Sequence, residues 1–250
     1  MLNNLKLLLL VIFLSLFNSV NSQTLTGYEL GILVGPVQMR SDFGLRGDKA
    51  TNRGNIGFGA GLMFDINPMD WGSRRDYAYD HFKLRFDLSF NKTSLQHYGE
   101  YVDPDNTSEN ANKLRAQRGE AKNSSLGVAL EYYPLSLRGF FYNFFDFTPY
   151  LILGVQYTYA KPGSNITNED QLYGPWANKG SINTESFYTM ALNTGIGVRY
   201  KVSEYSDFLF ETKFQFFNSD WVDGLNHPLD YNENNDALIW FTFGYVYYLN

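Results

Sequence analysis

The chain has 250 residues, no cysteine and a formal net charge of −6. The missing cysteines exclude disulfides and thiolate metal sites, and a mildly acidic balance with scattered Lys and Arg gives no support for a nucleic-acid partner. Aromatic and charged residues each make up 18% of the chain, at a mean hydropathy of −0.31; abundant aromatics without a second long apolar run suit alternating strands with aromatic girdles, as in a transmembrane β-barrel.

At the start, Lys6 precedes the apolar run Leu7–Phe17, and Val20-Asn21-Ser22 fits a small-residue cleavage pattern. Residues 1–22 therefore read as a secretory signal peptide with Gln23 as the first mature residue. A membrane anchor is disfavoured, because the run falls short of the ~20 residues that a spanning helix needs. Residues 23–250 read as a single domain.

Period-two alternation then recurs about eight times. The clearest stretch is His81–Asn91, where Phe82, Leu84, Phe86, Leu88 and Phe90 share one face, and His81, Lys83, Arg85, Asp87, Ser89 and Asn91 the other. Successive strand residues point to opposite sides, so one face is apolar and the other polar. The same pattern runs through Leu30–Val34, Ile56–Phe64, Leu126–Tyr132, Leu151–Tyr159, Tyr188–Tyr200, Phe208–Phe216 and Ile239–Leu249. Glycines fall mostly on the polar face, as the crowded interior of an eight-stranded barrel requires. The expectation is an all-β fold: an eight-stranded antiparallel up-and-down transmembrane barrel, apolar outside, following a cleaved signal peptide. A secreted lipocalin-like barrel with its apolar face inward is the alternative arrangement.

Long polar connections are expected over 39–54, 93–123, 162–186 and 219–236, and shorter ones over 67–79, 135–147 and 202–206. Short turns belong on the periplasmic side of an outer-membrane barrel and long loops outside. Ser108–Arg118 has helical character, with Ser108 as N-cap. Two of the short turns carry Trp71, Arg74, Arg75, Arg138, Phe140 and Phe141, candidate residues for docking a periplasmic partner.

The polar faces bring His81, Lys83, Arg85, Asp87, Glu131, Arg199, Glu211 and Lys213 into the barrel as an interior network. Buried charges of mixed sign must pair, which favours a filled bore over a selective pore. A water path past Glu131, Arg199 and Glu211 would mark a channel, and a filled bore a structural or docking barrel. No His lies in a metal-spaced pair, and the trio Ser94, His97 and Glu100 reads as chance proximity rather than a catalytic arrangement. No catalytic residue, metal or cofactor is assigned. In the distinctive loop, Asp220, Asp223 and Asn226 with Trp221 read as turn chemistry at a strand exit rather than as a calcium loop. At the C-terminus, Thr242, Gly244, Tyr247 and Leu249 resemble the closing-strand assembly signal of barrel substrates.

Three stretches carry a resemblance to a known family: Glu29–Pro36 with Ser41-Asp42-Phe43-Gly44, His81-Phe82-Lys83-Leu84-Arg85, and Ser219–Asn226. Together they look like a family of signal-bearing outer-membrane barrels similar to the PorG component of type IX protein secretion. That resemblance implies a non-enzymatic barrel in outer-membrane lipid, one barrel within a complex, whose periplasmic turns dock secretion-ring proteins. A small transport channel is the alternative function, and a secreted soluble ligand-binding barrel comes third.

Overall fold

Eight strands realise the alternation: β1 (Gly27–Arg40), β2 (Ile56–Asn67), β3 (Phe82–Leu95), β4 (Gly119–Tyr132), β5 (Phe147–Ser164), β6 (Phe187–Ser203), β7 (Ser206–Phe217) and β8 (Ala237–Leu249). The computed structural model describes residues 27–44, 48–69, 76–142, 146–167, 169–172, 180–226 and 235–249. The expected signal peptide and Trp71, Arg74 and Arg75 lie outside these residues. Each strand pairs antiparallel with the next, and β8 returns to pair with β1, closing an up-and-down barrel. Closure leaves no unpaired edge.

The apolar side chains face outward. Ile32, Leu126, Leu153, Ile196, Phe210 and Tyr247 are half exposed or more, whereas Arg85, Arg199, Lys83 and Lys213 are fully buried. Cross-strand register makes the outer belt continuous: Leu84, Leu130 and Leu153 lie side by side on β3, β4 and β5, followed by Phe86, Val128 and Val155. This is a water-soluble protein turned inside out. Soluble monomers seldom expose apolar patches larger than a few hundred Å², and here the patch encircles the molecule. The inward-apolar alternative is thereby excluded.

Glycines on the inner face make room for large side chains. Gly59 and Gly61 face Trp240, which fills the bore from β8; a Cβ on Gly59 would stand 2.9 Å from the indole ring. Gly197 leaves the space that the Tyr150 ring occupies.

Three strands run further than the apolar pattern predicts. β3 continues to Leu95, β4 begins at Gly119, and β5 continues to Ser164, where loops had been expected over 93–123 and from 162. Beyond Phe90 the outward positions become Lys92 and Ser94, so the apolar alternation ends while backbone pairing continues. The helix Glu109–Ala116 forms as expected, with Ser108 Oγ accepting the N–H of Ala111 at 3.2 Å.

One end of the barrel, the turn end, carries the connections 68–81, 133–146 and 204–205. The first two contain short helices, Tyr77–His81 and Leu137–Phe141, whereas Glu204-Tyr205 is a minimal hairpin turn. The opposite loop end carries 41–55, 96–118, 165–186 and 218–236.

Candidate functional site: a filled bore with two lids

The inward face of β3 grades along its length. From the turn end it reads Lys83, Arg85, Asp87, Ser89, Asn91, Thr93 and Leu95, all buried. Charge gives way to neutral polar groups and then to an apolar cap.

In the charged layer, six carboxyls surround four cations. Arg85 is ion-paired with Glu131, with Glu211 at 2.6 Å and with Asp65 at 3.4 Å. From the opposite wall, Arg199 pairs with Glu29, Asp65, Glu131 (3.4 Å) and Asp207 (3.6 Å). Lys83 reaches Glu29 at 2.6 Å, and Lys213 reaches Glu211 at 3.1 Å and Asp87 at 3.6 Å. Tyr133 and Tyr150 donate to Glu131 and Glu211, and both guanidinium groups lie over the Tyr150 ring at under 6 Å. Lys213 sits 4.8 Å from the centre of the Trp240 ring. A planar guanidinium presents five donors in a fixed fork, so two arginines from opposite walls knit carboxylates from four strands together. The bore is filled by side chains, as the geometry of eight strands dictates.

At the turn end, the helix Leu137–Phe141 lies across the opening. Leu137, Phe140 and Tyr133 are fully buried, and Phe141 packs against the ring of Tyr248 at 5.1 Å. Ser136 Oγ caps this helix by accepting the N–H of Gly139. Lys201 Nζ holds its last turn, donating to the carbonyls of Phe140 (3.2 Å) and Phe141 (2.6 Å). Asp80, from the neighbouring turn, accepts from Ser136 Oγ at 2.7 Å and from the Arg138 N–H at 3.1 Å. Arg138 also donates to the carbonyl of Met69. One carboxylate therefore ties the two long turns together.

At the loop end, the segment Trp221–Asn226 forms the centre of the cap. Asp223 accepts the N–H of Asp42 and that of Leu225, each at 2.8 Å. Asp236 accepts the N–H groups of Val222 (2.8 Å) and Asp223 (3.1 Å). Gly224, at φ +88°, makes the turn that hands its carbonyl to Asn183. Phe43, Val222 and Leu225 are buried beneath this clasp. Burial raises the Asp223 carboxyl to about 7. Burial, and then the neighbouring carboxyls of Asp223, Asp42 and Asp220, hold Asp236 well above the usual carboxylate range. Burial likewise lowers His97 to about 4; its Nε2 lies 2.7 Å from Gln117 Oε1 and its ring packs against Phe43.

Seven of the eight expected interior residues meet in the bore. His81 does not: it closes the helix Tyr77–His81, stacks on Tyr77 and bonds the Tyr133 carbonyl at 2.6 Å. Helix geometry, not strand alternation, sets its direction. Glu29, Asp65 and Asp207 are full members of the network that the sequence reading left out, although their parity places them on inward faces. Phe140 and Phe141 turn into the bore instead of outward, because the open end of a barrel gives apolar side chains a place to bury. Ser94 faces outward and Glu100 is exposed, so neither stands with His97 as an acyl-transfer trio would. Asp220, Asp223 and Asn226 belong to the cap. Among the described residues, no group of three or more His, Asp or Glu is arranged to hold a metal ion. Thr242 and Gly244 face inward on β8 and Tyr247 faces outward; Leu249 pairs with Tyr28 of β1 at the barrel seam.

No protein-family model matches the chain, and no curated relative matches it. Solved structures similar to it include the outer membrane protein OprG from Pseudomonas aeruginosa (15% identity, TM-score 0.45, covering 89% of this chain and 96% of that one). A major outer membrane protein from Thermus thermophilus is similar at 11% identity and TM-score 0.45, covering 88% and 99%. Ail, the attachment invasion locus protein of Yersinia pestis, is similar at 12% identity and TM-score 0.40, covering 89% and 98%. At these distances the likenesses carry no functional argument, and the barrel assignment stands on the chain's own strand pairing.

Proposed function

We propose that this protein is an exported, non-enzymatic barrel of the bacterial outer membrane that serves as a structural or docking component and does not conduct. The observation that supports it is the bore: Arg85 and Arg199 cross-link carboxylates from opposite walls, and both ends are lidded. A buried charge lattice is costly to break, because each removed partner strands a charge in low dielectric. The apolar outer belt supplies the lipid-facing surface. Within this reading, the turns 68–81 and 133–146 face the periplasm, and the family resemblance favours docking to the secretion ring of a type IX system.

Two measurements test it. Purified protein in planar bilayers is expected to give no unitary conductance; reproducible channel openings would replace the docking reading with the transport one. Crosslinking from a cysteine placed at Arg138 in intact cells is expected to capture a periplasmic secretion-ring protein. Capture of none, with the barrel present in the outer membrane, would remove the secretion assignment.

A further inference from the structure

On three consecutive strands a lysine stands at one outward register just past the apolar series, directly after it on β3 and β5 and one outward serine, Ser124, beyond it on β4. On β3, Leu84, Phe86, Leu88 and Phe90 give way to Lys92. On β5, Leu151, Leu153, Val155, Tyr157 and Tyr159 give way to Lys161. Between them, Lys122 of β4 is the direct cross-strand partner of both. All three side chains are exposed. With strands ~4.8 Å apart, three ammonium groups occupy a strip about 10 Å wide.

Like charges directly opposite on neighbouring strands are destabilising, and any polar residue would satisfy these outward positions. Glu120 offsets the row in part, pairing with Lys92 at 2.7 Å and with Lys122. Lys161 makes no ion pair among the described residues, so the strip keeps a net charge of about +2 for an outside anion. Beneath it, Tyr157 stacks on Tyr188 at 5.3 Å, and Tyr159 packs on the same ring at 5.1 Å. Such aromatic belts mark the depth of lipid headgroups. Among the described residues, the outward positions of β2, β6, β7 and β8 carry no charged side chain and those of β1 carry one, Arg40, so the row of three lysines marks one side of the barrel.

We propose that Lys92, Lys122 and Lys161 form a docking strip for phosphorylated lipid headgroups in the leaflet at the loop end. This rests on the membrane reading above. The aromatic shelf favours a lipid over a soluble anion, because it seats the charges at the depth where lipid phosphates lie.

The test uses the mature chain reconstituted in phosphatidylcholine vesicles, with and without one part in ten of bisphosphorylated lipid A, and reads the lipid retained after mild solubilisation. Wild type is expected to enrich lipid A by about fivefold for each uncompensated charge at low salt, and less as salt rises. The variant K92Q/K122Q/K161Q should lose the enrichment, and K161Q alone should lose about fivefold; Lys113→Gln, in the loop helix, should keep it. Equal enrichment in wild type and triple variant would overturn the proposal, as would displacement of lipid A by millimolar inorganic pyrophosphate or by polyglutamate. A barrel that inserts into phosphatidylcholine but shows no lipid preference overturns the strip alone. One that enters neither membrane overturns the membrane reading and the strip with it.

Discussion

Asp223 accepts the backbone N–H of Asp42 at 2.8 Å, joining two residues 181 positions apart in sequence. That bond pins the β1–β2 loop to the β7–β8 loop and places a carboxyl that titrates at about 7 where water does not reach.

The cap should therefore respond to pH. When it opens, Asp223 returns to its ordinary value of 3.8. The closed form holds the proton more tightly, so this contribution is full below 3.8 and lost as pH rises through about 7. Asp236, which faces Asp42, Asp220 and Asp223, acts in the same direction. His97 acts oppositely: its contribution is full above 6.5 and lost as pH falls through about 4. Two carboxyls outweigh one imidazole. Protection factors of the Val222 and Asp223 amides should be higher at roughly pH 5.5 than at roughly pH 8.5. Asp236→Asn keeps an acceptor for both amides and removes a charge, so it should flatten the dependence. An unaltered slope in that variant would refute the assignment.

Removing Arg199 should be far worse than removing Lys213. Arg199→Met removes a guanidinium shared by Glu29, Asp65, Glu131 and Asp207 and leaves Asp207 with no paired cation among the described residues, a loss of about 3–5 kcal/mol for a broken buried pair. Lys213→Met removes two pairs instead of four: Asp87 loses its cation, but Glu211 keeps Arg85, so the cost should be smaller. Urea midpoints of folded barrels in lipid, read by heat-modifiability on gels, compare the two. Equal midpoints would contradict the geometry.

Lipid-facing and loop positions should differ in the same assay. Phe86→Arg puts a charge in the apolar belt and should cost on the order of 2–4 kcal/mol, whereas Asn106→Arg, in an exposed turn, should be neutral. Matching yields of folded protein would argue that β3 had been assigned the wrong outward face.

Asp80→Ala should loosen the turn-end lid without unfolding the barrel. It deletes two hydrogen bonds to the 133–146 turn, each with a net value of about 1 kcal/mol. Trypsin added from that side should then cut after Arg138, where wild type resists. Resistance in the variant would show that Lys201 and the buried Phe140 hold the lid unaided.

Deleting Tyr247–Asn250 removes the rungs Tyr28–Leu249, Glu29–Tyr248 and Leu30–Tyr247 that help close β8 on β1. Such a chain should fail to assemble and be degraded, while a four-residue deletion spanning Asn106 should leave a folded barrel. Normal assembly of the truncated chain would dispose of the proposed signal.

Strand number, antiparallel order and the direction of each face were legible because apolar and polar residues contrast strongly through the belt. The contrast fades where β3, β4 and β5 leave it: Lys92, Lys122 and Lys161 replace outward apolar residues, while Thr93 and Ala121 face in. There the strand reads as loop although its ladder is intact. The charged layer was legible by parity but not by membership, since only closure brings Glu29 of β1 across the bore to Arg199 of β6. His81 shows the opposite error: strand parity was extended one residue into a helix. Phe140 and Phe141 were read as a docking surface because an apolar pair in a turn has the same signature whether it meets a partner or stoppers the molecule's own bore.

The unequal turn lengths give the barrel a rotational sense. The β6–β7 connection is only Glu204-Tyr205, whereas the other two turns are long and tied to each other through Asp80. A body approaching along the barrel axis meets two linked turns on one part of the rim and a two-residue turn on another. Any complex that grips the turn end must therefore fix the barrel's azimuth as well as its depth. The lysine row, drawn from β3, β4 and β5, then points in one set direction around that complex.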